Sequence, residues 1–200
     1  MLKFFNNKGL FMKYSLNFRI WHWINVFVVF GLLGTVFLRK TFLSWRTNSE
    51  LIVDKLFDMD IDITILQAKI LAKAIRAGMW EWHIILGYAL VALLAYRIYL
   101  YFYDTSSREP WSSLTLHKKG VKSLYYIFYT TLLFMAISGF IIYFYQELGM
   151  TKSLAHDIKE IHELVFYFIM FFVPIHIAGV VIADNTEEKG LVSSMVNGEK

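Results

Sequence analysis

Four stretches of the chain, roughly residues 20–38, 83–103, 123–145 and 161–183, are apolar almost without interruption. A helix needs about 20 mainly apolar residues to cross a bilayer's hydrocarbon core, so each stretch is long enough to span it. Tryptophans and tyrosines crowd the ends of these stretches: Trp21, Trp23, Trp80, Trp82, Tyr101, Tyr103, Tyr125, Tyr143 and Tyr145. Such amphipathic rings belong at the headgroup level. The pattern predicts an all-α integral membrane four-helix bundle, because a helix satisfies its own backbone polar groups in lipid. A single domain is expected over residues 1–200, with no internal repeat.

The connection between spans one and two is long for a small bundle. Within it, Ile63, Leu66, Ile70, Ala74 and Ala77 recur at three- and four-residue spacing, with Lys69, Lys73 and Arg76 off that stripe. This predicts an extra amphipathic helix over 62–79. It would lie on the membrane surface or offer a docking face to a partner on the outer side. The tail, ADNTEEKGLVSSMVNGEK, is polar with a short apolar patch.

Composition narrows the class. The 200 residues are 57% hydrophobic and 18% aromatic, too apolar for a soluble domain of this size. Only two prolines, Pro110 and Pro174, interrupt the chain, which permits long helices. The absence of cysteine excludes disulfides, thiolate-held iron–sulfur clusters and covalent CxxCH haem attachment. Any haem would be held non-covalently, by histidine or methionine. The net charge of +4 comes without the clustered basic stripes of a nucleic-acid binder, so no nucleic-acid partner is expected. The N-terminus carries charge before an apolar run, as a signal peptide does. That run is too long for an h-region and lacks a small-residue cleavage site, so it reads as a retained first span.

Charge also suggests orientation. Lys3, Lys8, Lys13 and Arg19 precede span one, and Arg108, Lys118, Lys119 and Lys122 lie between spans two and three. Only Lys152 and Lys159 lie between spans three and four. Positive charge favours the cytoplasmic side, which puts both termini in the cytoplasm. The first connection mixes basic and acidic residues and is long enough to weaken the rule.

Four of the six histidines fall at span positions: His22, His83, His162 and His176. Ionisable side chains within membrane helices are costly and usually functional. His162 and His176 are fourteen residues apart, so in a helix they share a face about 21 Å apart along the axis. The topology places His22 beside His176 at the cytoplasmic depth and His83 beside His162 at the outer depth. Two imidazoles from facing helices at matched depth are what bis-histidine haem ligation needs. Two haems in series are expected, the inner held by His22 and His176 and the outer by His83 and His162. A six-coordinate iron has no open position for oxygen chemistry, so electron transfer is the implied role.

Other residues take either a plain or a sharper role. Gly87, one turn after His83, would let a porphyrin approach or would serve as a packing glycine, as would Gly31, Gly34 and Gly139. Pro174, two residues before His176, is expected to kink span four. Arg97 and Arg19 could reach haem propionates or snorkel as plain anchors. Glu81, Glu160 and Glu163 flank the outer histidines, as solvated residues or as a proton relay to quinone. His117 and His156 have no depth-matched partner and are not expected to ligate.

The assembled motifs are Tyr14-Ser15-Leu16-x-x-Arg19-x-x-His22-Trp23 and His83-x-x-x-Gly87 with Arg97. To them are added Ser138-Gly139, His162-Glu163 and His176. Together they resemble the bacterial cytochrome b561 family and the related b-type cytochrome subunits of membrane-bound Ni,Fe-hydrogenases. The resemblance covers nearly the whole chain. It implies a four-helix cytochrome with two haem b groups, placed in the bacterial inner membrane, that passes electrons between membrane quinone and a partner. The long first connection departs from the short free-standing members. It suggests a subunit of a quinone-linked respiratory complex serving a periplasmic partner, a cytochrome c or a hydrogenase subunit. Membrane lipid is the remaining partner, and a homodimer is left open. Two alternatives stand beside this reading: a standalone quinone oxidoreductase, and a non-haem metal-binding transporter, which the scarcity of intramembrane carboxylates weakens.

Overall fold

Hydroxyl residues stand where the long helices of this chain begin. In the computed structural model, which describes residues 14–104, 110–186 and 188–198, Ser15 Oγ accepts the Phe18 N–H at 3.2 Å. Thr115 Oγ1 accepts from Lys118 N and Thr151 Oγ1 from Leu154 N. Thr64 and Gln67 form a reciprocal box: the Gln67 side-chain oxygen Oε1 accepts from Thr64 N at 2.8 Å, and Thr64 Oγ1 accepts from Gln67 N at 3.3 Å. Each cap satisfies backbone donors that the first turn of a helix leaves open.

The elements that follow are α1 (Leu16–Lys40), α2 (Trp45–Phe57), α3 (Ile65–Tyr103), a 3-10 turn (Trp111–Ser113), α4 (Leu116–Tyr143), α5 (Lys152–Asn185) and α6 (Leu191–Val196). No strand occurs among the described residues. The helices α1, α3, α4 and α5 have the length and apolarity to cross a membrane. They are the four spans of a helical membrane bundle, and each contains or closely overlaps a stretch expected from the hydropathy pattern. Lys3, Lys8, Lys13 and Arg108, which carry part of the orientation argument, lie outside the described residues.

The expected amphipathic helix over 62–79 forms, but not as a separate element. It begins at the Thr64 box and continues without a break into span two, making α3 39 residues long. At 1.5 Å per residue that is about 58 Å, against roughly 30 Å of hydrocarbon core. Neither proline nor an internal cap lies between Ile65 and Tyr103 to end it. α2 is a further helix whose less exposed face carries Trp45, Ser49, Ile52, Val53 and Leu56. α5 likewise continues through Pro174 as one helix.

Among the described residues the backbone divides into two compact units, one taking those up to Ile24 and from Leu93 onward, the other Asn25–Ala92. In the second unit, Ala68 and Ala72 of α3 and Ser49 of α2 are buried, and the Lys69 and Lys73 ammonium groups lie 5.0 and 5.8 Å from the Trp45 ring centroid. In the first unit, α4 packs along α5, with Phe128 stacked on Phe172 at a centroid distance of 4.0 Å. α6 is tied to the end of α5 by the Val192 N–H, which donates to Asp184 Oδ1 at 3.0 Å. Large apolar side chains such as Phe27, Leu164 and Phe171 point outward, the arrangement expected where lipid rather than water is the solvent.

Candidate functional site

The four expected ligands and the two remaining histidines differ in burial. His22, His83, His162 and His176 are half-buried, whereas His117 and His156 are exposed. His156 instead faces Glu160 one turn on, at 3.6 Å.

His22, in the second turn of α1, and His176, near the end of α5, approach with ring centroids 6.4 Å apart and planes at 65°. Two metal–imidazole bonds of about 2 Å each, plus half of each ring, separate centroids by roughly 6 Å. The spacing therefore suits one metal ion between the rings. Tyr125 of α4 places its hydroxyl 3.2 Å from His176 Nδ1. Phe172, one turn before His176, lies parallel to the imidazole with centroids 5.9 Å apart. Trp23 meets the His22 ring edge-on at 5.5 Å.

The residues around this pair anchor the beginning of α1. The Trp21 indole donates to the Leu93 carbonyl at 2.8 Å and the Trp23 indole to the Met195 carbonyl at 3.2 Å. Arg19 Nη2 donates to the Val196 carbonyl at 3.1 Å, while its Nε is buried with no partner among the described residues. An orphaned guanidinium donor is costly unless an acceptor reaches it, and a haem propionate is an acceptor of the right charge. Arg97 is boxed by rings: its guanidinium carbon lies 5.1, 5.4 and 5.2 Å from the centroids of Phe18, Trp21 and Tyr129. Ser15, besides capping α1, donates its hydroxyl to Asp104 Oδ2. Burial pushes the neighbouring Tyr14 phenol up to about 12, with Tyr125, Glu188 and Tyr129 adding to the shift, so Tyr14 stays protonated at neutral pH.

His83 lies on α3, with its Nδ1 2.7 Å from the Thr35 hydroxyl of α1. Trp80 meets its ring edge-on at 5.5 Å, and the Arg39 guanidinium lies 5.5 Å from the Trp80 centroid. A Cβ added at Gly87 would meet nothing within 4 Å, and the same holds at Gly34. Gly31, by contrast, is a packing glycine, where a Cβ would fall 2.8 Å from Leu86 Cδ1. His162 lies on α5, with its Nδ1 2.8 Å from the Ser138 hydroxyl of α4. A Cβ at Gly139 would sit 3.5 Å from His162 Cε1. Glu163 is paired with Lys159 at 2.8 Å, while Glu81 and Glu160 are exposed.

Thr35 and Tyr125 contact candidate histidines, and the sequence did not single them out for that. Tyr125 was legible only as an interfacial aromatic, and Ser138 only as part of a motif. Among the described residues no group of three or more His, Cys, Asp or Glu side chains converges, so the donor sets here are imidazoles one or two at a time.

Half-buried imidazoles on three of the four helices long and apolar enough to cross a membrane define a multi-pass membrane protein that carries histidines within its spans. A family model described as prokaryotic cytochrome b561 matches residues 13–198. The chain belongs to that family, and is thereby a transmembrane electron-transfer protein of the b-type haem class. No curated protein and no solved structure matches it.

Proposed function

We propose that this chain is a dihaem b-type cytochrome that moves electrons across the bacterial inner membrane. It would connect a periplasmic redox partner, a cytochrome c or a hydrogenase, with membrane quinone, and both termini would be cytoplasmic. His22 and His176 hold the inner haem b; His83 and His162, paired by the depth argument from sequence, hold the outer one. The observation that carries the reading is the 6.4 Å approach of the His22 and His176 rings.

A haem b held by two imidazoles supplies a one-electron ferric/ferrous couple with no open coordination position. The chain's own residues do the rest. Arg19 offers its buried Nε to a propionate, and Arg97 keeps a positive charge inside its box of rings. Gly87 leaves space for a macrocycle edge beside His83. The beginning of α3 supports the docking of a periplasmic partner, because it carries outward-facing Leu66, Ile70 and Ile75, each more than 60% exposed.

The test is a reduced-minus-oxidised optical spectrum of the purified chain, with a pyridine haemochrome count. Two b haems per chain are expected. A correctly folded, colourless protein contradicts the proposal.

A further inference from the structure

Two of the four histidines carry the same local device. Thr35 Oγ1 lies 2.7 Å from His83 Nδ1 and 2.6 Å from the Leu32 carbonyl oxygen of its own helix. Ser138 Oγ lies 2.8 Å from His162 Nδ1 and 2.7 Å from the Phe134 carbonyl oxygen of its own helix. Both hydroxyl residues are buried, at 7% and 2% exposure, so water does not compete for these contacts.

The proton positions follow from donor and acceptor counting. A hydroxyl has one proton and two lone pairs, and a carbonyl oxygen can only accept. An oxygen–oxygen approach of 2.6 or 2.7 Å therefore holds the hydroxyl proton between hydroxyl and carbonyl. The hydroxyl is left to face Nδ1 with a lone pair. A hydrogen bond there requires the ring proton to sit on Nδ1, and a neutral imidazole protonated on Nδ1 has its lone pair on Nε2. Serine and threonine in helices commonly bond back to the preceding turn. Here that habit turns each hydroxyl into an acceptor aimed at a histidine.

We propose that Thr35 and Ser138 are positioning residues for metal ligation. Each fixes its histidine, His83 or His162, in the Nδ1–H tautomer, which would leave the Nε2 lone pair as the donor to a metal. The proposal rests on the reading of these two histidines as haem ligands. A hydrogen bond donated from Nδ1 also makes the ligating nitrogen more basic, which favours ferric over ferrous iron.

The experiment compares Thr35→Val and Ser138→Ala, which remove the acceptor, with Thr35→Ser and Ser138→Thr, which keep it. Each full-length holoprotein is assayed for haem retention against an excess of apomyoglobin and for midpoint potentials by optical redox titration. Thr35→Val and Ser138→Ala are expected to weaken haem binding about 10- to 100-fold and to raise one of the two midpoint potentials. A tenfold loss of ferric preference corresponds to about 59 mV for a one-electron couple. Both are expected to act on the same haem, and the hydroxyl-retaining variants are expected to restore parental values. Parental retention and potentials in Thr35→Val and Ser138→Ala overturn the proposal, even where His83→Ala and His162→Ala each lose a haem. The ligand reading fails separately, and takes this proposal with it, if His83→Ala and His162→Ala retain both haems.

Discussion

His83 and His162 are each met at Nδ1 by an aliphatic hydroxyl from a neighbouring helix, at 2.7 and 2.8 Å. His22 and His176 lack an aliphatic hydroxyl at Nδ1 among the described residues and sit among more rings: Trp23 at the edge of one, Phe172 parallel to the other, and a phenol 3.2 Å from His176 Nδ1. The first arrangement sets each imidazole by a short polar contact at Nδ1, beside which Trp80 adds an edge contact at His83, so its orientation depends strongly on one proton and one lone pair. The second fixes it through packing, where each contact is individually small and the sum is large. One family fold thus steadies the same side chain by two kinds of physics. The two should fail differently when probed.

The largest effect tests whether the histidines are ligands at all. Substituting His22 or His176 by alanine is expected to remove one haem from the pyridine haemochrome count, and substituting His83 or His162 the other. A chain that keeps both haems after any of these changes breaks the comparison. Next come the glycines. Gly87→Leu should leave folding intact, because nothing stands near its Cβ, but should cost haem binding beside His83 about 1–3 kcal/mol through overpacking. Gly31→Ala meets Leu86 Cδ1 at 2.8 Å. It should lower thermal stability by about 1 kcal/mol as the leucine end shifts, with haem content unchanged.

Arg97→Gln probes the ring-lined side. Losing the guanidinium from its aromatic box should cost about 0.5–2 kcal/mol of stability. It should also lower the midpoint potential of the haem held by His22 and His176, since a nearby positive charge favours the ferrous state. Redox titration reads the shift, and an unchanged potential would remove Arg97 from the site. The smallest effect is expected for Tyr125→Phe. The hydrogen bond to His176 is worth about 1 kcal/mol, roughly a fivefold faster haem release, while Phe172 still holds the ring. A loss as large as that expected for Thr35→Val would erase the distinction between the two arrangements.

The spans and the histidine quartet were legible in the sequence because each is a contrast: apolar runs against polar connections, and imidazoles against the apolar runs. What escaped is where that contrast vanishes. The continuity of α3 was hidden because Lys69, Lys73, Arg76 and Glu81 mark the edge of the lipid, whereas a helix ends only at a cap or a breaker. α2 was hidden because its stripe of Trp45, Ile52, Val53 and Leu56 is short and interrupted by Ser49, within a connection rich in charge. α6 was hidden in a polar tail whose partners, Arg19 and Trp23, lie far away in sequence. Thr35 was hidden because a lone hydroxyl in a membrane helix ordinarily serves only its own backbone. Its second contact, to a residue 48 positions away, exists only once the chain has folded.

The measurement that bears most directly on two imidazole pairs is the electron paramagnetic resonance spectrum of the fully oxidised chain, with spins counted against protein. Two bis-histidine haems predict two low-spin ferric signals integrating to two spins per chain, with the high-spin signal of five-coordinate iron absent. A single low-spin species integrating to one spin per chain, or a dominant high-spin signal, would contradict the account.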